Sequence, residues 1–97
     1  MQHFFRTQLP PTQVLRIADT FFPALDLERE AHTQRSRTYS GLLGTLHLSV
    51  KKEGGHYTFV QVGTDQMGES RLDRNAKRFF VELHRTADPS HKVEAAY

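Results

Sequence analysis

Residues 72–87 carry apolar side chains at Leu72, Ala76, Phe79, Phe80, Leu83 and Ala87, a stripe at the 3.6-residue period of an α-helix. Such a helix buries one face and wets the other, so it needs an apolar surface to lie on. The chain supplies that surface just upstream. Leu46, Leu48 and Val50 alternate with Thr45, His47, Ser49 and Lys51, the two-residue period of a half-buried strand over residues 45–52. Glu53-Gly54-Gly55 makes a hairpin turn, because glycine enters positive φ without strain. Residues 57–62 return as the antiparallel partner. A helix laid on a hairpin is the start of a two-layer α+β domain.

The N-terminal half adds to both layers. Residues 3–9 read as a short strand that stops at Pro10-Pro11. Pro11 suits the first turn of a helix, where a missing amide donor costs little. Val14, Ile17, Ala18 and Phe21 then recur at helical spacing until Pro23 ends the run. Residues 25–33 alternate loosely and read as a half-exposed strand. Residues 34–37 read as a polar turn, residues 38–40 as the start of a further strand, and Gly41 and Gly44 as the brackets of a break or bulge. Asp65 is the expected N-cap of the second helix, and Pro89 stops it. The expectation is a single α+β domain over residues 1–97. An antiparallel sheet of four to five strands carries two α-helices packed on one face, in the order β-α-β-β-β-α. Residues 91–97 are left as a final edge strand or a loose tail. This order has fold-level analogues in half of a TATA-binding-protein-like saddle and in ferredoxin-like sandwiches, which carry no function by themselves.

Composition removes several classes of chemistry. The 97 residues hold no cysteine, so no disulfide, iron–sulfur or thiolate–zinc site and no thiol nucleophile can form. His3, His32, His47, His56, His84 and His91 include no pair spaced by two, three or four, so no local metal clamp is written. Ser40 lies in Tyr39-Ser40-Gly41, outside a Gly-x-Ser-x-Gly elbow. Gly41-Leu42-Leu43-Gly44 has the GxxG spacing of a KH loop but puts leucines where polar or basic residues are needed. No metal, cofactor or catalytic residue is expected. No apolar run approaches the ~20 residues of a membrane span. No signal peptide is visible, and a cytoplasmic protein with no membrane association is expected. The formal charge of +2 is too small to argue for a polyanionic partner in bulk.

Aromatic and basic residues are more informative. Tyr57-Thr58-Phe59-Val60-Gln61-Val62 partly resembles the aromatic signature on the third strand of RNA-recognition motifs. Tyr57, Phe59 and Val60 match it. Gly55 and His56 stand where the basic residue and glycine belong, and Val62 replaces the last aromatic. The resemblance implies a sheet face on which bases stack. Arg71, Arg74 and Arg78 form a basic band along the second helix. Phe4 and Phe5 are neighbours on a strand, so one of them must leave the helix-covered face. The first reading is a non-catalytic interaction module that self-associates as a homodimer or binds a protein partner through its sheet face. Phe5, His47, Tyr57 and Phe59 are the expected face. The alternative is a nucleic-acid-binding domain using the same aromatics with Arg71, Arg74 and Arg78. A small-ligand carrier or enzyme comes third, with no specific residue behind it.

Overall fold

A computed structural model of the chain describes residues 1–89. The expectation for residues 91–97 lies outside the described residues. Strand β1 (Gln2–Thr7) leads into helix α1 (Pro11–Phe21) and one 3₁₀ turn (Pro23–Leu25). Strands β2 (Glu28–His32), β3 (Ser36–Gly41), β4 (Gly44–Glu53) and β5 (Tyr57–Thr64) follow, and helix α2 (Arg71–Ala87) closes the order. The strands form one antiparallel sheet in the order β1-β5-β4-β3-β2, and both helices pack on the same face of it. This is the two-layer α+β sandwich that the apolar stripes require.

The strand that brings the count to five is β3. Ser36 and Arg37, which read as part of a turn, pair with Ser49 and Leu48 of β4. Gly41 and Gly44 pair across a two-residue hairpin whose tip is Leu42-Leu43, so of the expected break or bulge it is the break, a turn between strands, that forms. At the far edge β2 is exposed along its whole length, and its register slips between Arg29 and Ala31. Charge and a bulge on an edge strand oppose pairing with another chain.

Strand parity sorts the residues. Leu46, Leu48, Val50, Val60 and Val62 point to the helices and are buried, as are Val14, Ala18 and Phe22 of and after α1, and Leu72, Ala76, Phe79 and Leu83 of α2. Phe22 sits at the centre, with its ring centroid 5.0 Å from both Tyr39 and Phe79. Burying one such phenylalanine stabilises the fold by about 2 to 3 kcal/mol. Helix α1 opens on Pro11, and the Pro10 carbonyl accepts from the amides of Gln13 and Val14. Helix α2 is capped by Ser70, whose side chain accepts from the Asp73 amide, and not by Asp65. Asp65 instead accepts from the Thr45 amide at 2.9 Å and ties the segment after β5 back to β4.

Candidate functional site

Among the described residues no helix lies over the second face of the sheet. Odd-numbered residues of β5 point there, so Tyr57, Phe59 and Gln61 lie in the open while Thr58, Val60 and Val62 lie in the core. The register of β1 against β5 then decides which phenylalanine of its pair joins them. Phe4 stands opposite Gln61 and Arg6 opposite Phe59, so the even residues of β1 share the open face. The Phe4 and Phe59 rings stack at 5.6 Å between centroids with 18° between planes. Phe4 remains 56% exposed and Tyr57 47%. The Arg6 guanidinium lies 4.9 Å over the Phe59 ring and donates to Glu53 at 2.8 Å. Lys51 of β4 pairs with Phe59 from the other side. The result is an aromatic corner edged by charges of both signs.

The remainder of the open face is polar. Gln61 donates to Gln2 at 3.1 Å, His47 and Thr38 share a hydrogen bond at 2.9 Å, and Ser40 and Thr45 share one at 3.1 Å.

Of the four residues expected on this face, Tyr57 and Phe59 come together. His47 shares the face but stands four residues along β4 from Lys51, roughly 13 Å away at the strand rise. Phe5 is not there. It points to the helices and stacks on Phe80 at 5.1 Å with 11° between planes. Phe4 and Arg6 take the open positions instead. The signal for this was present in β1: Gln2 and Arg6 share the parity of Phe4, and two strongly polar neighbours mark the wetter face.

Arg71, Arg74 and Arg78 are exposed on the outer side of α2. They belong to the helix layer, and the aromatic corner belongs to the far side of the sheet. The molecule measures 34 × 31 × 21 Å, so the fold does not bring these arginines and the aromatics onto one surface.

Two polar clusters, one buried around Asp73 and one half-buried around Asp19, hold the layers together. Asp73, fully buried at the start of α2, lies 2.7 Å from His3 Nε2 and accepts from Thr64 at 2.8 Å and from Ser70 at 2.5 Å. Burial pushes its carboxyl up, but the hydrogen bonds from Ser70, His3 and Thr64 and the neighbouring His3 outweigh it, so the pKa falls below the ordinary value. The Ser70 and Thr64 hydroxyls both donate hydrogen bonds to the carboxylate. The arrangement clasps β1, β5 and α2.

Asp19 of α1 plays the same part at the other edge. It accepts from the Tyr39 hydroxyl at 2.7 Å, Arg37 at 3.0 Å and Arg29 at 3.2 Å. Burial and then the Asp19 carboxylate push the Tyr39 hydroxyl far above its usual range. Among the described residues no group of three or more His, Asp or Glu side chains could hold a metal ion, and no helix is long and apolar enough to cross a membrane.

No protein-family model and no curated protein matches the chain. Among solved structures, a conserved protein of unknown function from Enterococcus faecalis is similar in fold. It has a TM-score of 0.56 at 9% identity, over 97% of this chain and 76% of that one. At that identity the likeness speaks for the fold alone.

Proposed function

We propose that this chain is a non-catalytic interaction module that pairs with a second copy of itself through its open sheet face. The observation that carries this reading is the stack of exposed Phe4 on half-buried Phe59, with exposed Tyr57 on the same face, which no element among the described residues covers. A contiguous aromatic patch on a small protein marks a contact surface. Charges of both signs, Arg6 and Lys51 against Glu53, edge the patch. In a two-fold pairing, charges of both signs on the patch allow cations of one copy to meet Glu53 of the other. The broad face of a body 34 × 31 × 21 Å also accommodates the ~800 Å² per partner that a stable interface buries.

Light scattering on a dilution series tests this. The native chain is expected to reach a dimer mass that falls on dilution. Phe59→Ser and Phe4→Ser are expected to stay monomeric with an unchanged circular dichroism spectrum. A native chain that remains monomeric at high concentration overturns the reading.

One observation favours a second reading. Arg6 and Lys51 flank the stacked rings, the combination of cations and aromatics on which single-stranded nucleic acid lies. Fluorescence anisotropy with labelled single-stranded RNA separates the two readings. Binding that weakens steeply with salt favours nucleic acid, and no binding at low salt removes it.

A further inference from the structure

The helix layer has a surface feature of its own. Where α1 and α2 lie side by side, two adjoining depressions of ≈ 340 and ≈ 310 Å³ share Phe21 and Glu82 in their walls and form one groove. Its floor is apolar: Ile17, Phe21 and Leu25 come from the α1 side, and Val81 from α2. Ile17, Phe21 and Leu25 pack on the core yet stay partly open. The rim is basic. Arg16 stands at one end, and Arg78 and Arg85 stand along the other. Among the described residues none of these three arginines takes part in an ion pair, although five pairs form elsewhere. Glu82 is the one acid in the wall of either depression.

We infer that this groove docks an acidic amphipathic helix from a partner protein. Three features select that occupant. The apolar floor asks for apolar anchors, and the unpaired arginines ask for carboxylates beside them. The length fits as well. Arg78 and Arg85 are seven residues apart on α2, about 10 Å at the helical rise, and a docked helix with anchors at i, i+4 and i+7 spans the same distance. A phosphate backbone would engage the arginines but leave the apolar floor unused. This groove is on the opposite layer from the open sheet face, so it does not depend on the dimer reading.

The test uses a fluorescein-labelled synthetic helix of about four turns, with leucines on one face and glutamates flanking them. A counterpart carries lysines in place of the glutamates. Anisotropy is read at physiological salt with the full chain. The acidic helix is expected to bind in the micromolar range and the lysine counterpart not to bind. Arg78→Glu and Arg85→Glu, both exposed positions, are expected to weaken it about tenfold each, and Ile17→Ser to weaken it as well. Arg71→Glu makes the same charge change outside the groove and should move it less than about twofold. Circular dichroism confirms that each variant is folded. Absence of binding, equal binding of the lysine helix, or an equal loss with Arg71→Glu overturns the inference. Displacement of the peptide by single-stranded RNA at equimolar amounts overturns it too, in favour of a phosphate surface.

Discussion

Asp73 concentrates more of the stability than any surface ion pair can. It is fully buried and accepts from three side chains: His3 of β1, Thr64 of β5 and Ser70, the cap of its own helix. Asp73→Ala leaves those donors without an acceptor, so we expect a loss of about 3 kcal/mol in chemical denaturation. The pH dependence has a definite sign. The folded pKa of Asp73 lies below its unfolded value near 3.8. Its contribution is therefore complete above that value and is lost as pH falls through the lower folded one. Melting temperature should drop steeply below about pH 4, and Asp73→Asn should flatten the slope. Asp19 has a lowered pKa of the same kind, so some slope persists in the variant. A native chain whose melting point is level down to pH 2 would contradict the clasp. The Phe4 and Phe5 pair offers a second residue-scale test. Phe5→Ala removes a ring packed on Phe80 and should cost about 2 kcal/mol or more. Phe4→Ala trims an exposed ring and should cost about 1 kcal/mol or less. Reversed costs would mean that β1 is inserted with the other parity. That parity is where the sequence misleads: adjacent phenylalanines say that the faces differ and leave their assignment to Gln2 and Arg6.

Elements that bury one clean face are readable from the sequence. α2, α1 and the β4–β5 hairpin each carry an apolar period with punctuation at both ends, and each lies where its pattern puts it. β2 is found inside the expected span of residues 25–33 but is shorter and exposed throughout, because it is an edge strand, and β3 starts earlier than expected for a physical reason. β3 buries one aromatic side chain, Tyr39, and its polar start is held by hydrogen bonds that patterning does not register, such as Arg37 to the carbonyls of Thr33 and Ser36. The expected cap of α2, Asp65, is not the observed one, which is Ser70. Tertiary demand explains the difference, since Asp65 is taken by the Thr45 amide. The hairpin from β3 to β4 makes an element-scale prediction. A Cβ at Gly41 would stand 2.6 Å from the Asp26 carbonyl oxygen, which is backbone and cannot swing aside. Asp26 is itself fixed at a φ of 61° after the 3₁₀ turn. Gly41→Ala must push β2 away from β3, at an expected cost of about 2 kcal/mol. Gly54→Ala, in open space at the β4–β5 turn, meets only its positive φ and should cost about 1 kcal/mol. Equal melting temperatures for the two variants would mean that β2 yields freely.

Across the whole molecule the two candidate surfaces lie on opposite layers of a body whose short dimension is 21 Å. The sheet between them is packed on one side by the core, and the polar clusters of Asp73 and Asp19 hold the helices to it. Neither surface shares a side chain with the other. At physiological salt a charge is screened over about 8 Å, so reversing charges on the helix layer hardly reaches the sheet face. The combined variant Arg16→Glu/Arg78→Glu/Arg85→Glu takes the formal net charge from +2 to −4, two units for each of three reversals. Despite that change, its dimer dissociation constant should stay within about threefold of the native value, as for independent sites. Phe59→Ser, in turn, should leave binding of the acidic helix unchanged while abolishing the dimer. Light scattering reads the first quantity and anisotropy the second, on the same two proteins. If the arginine reversals dissolve the dimer, the copies meet through their helix layers, and the Phe4–Phe59 stack must serve some other contact.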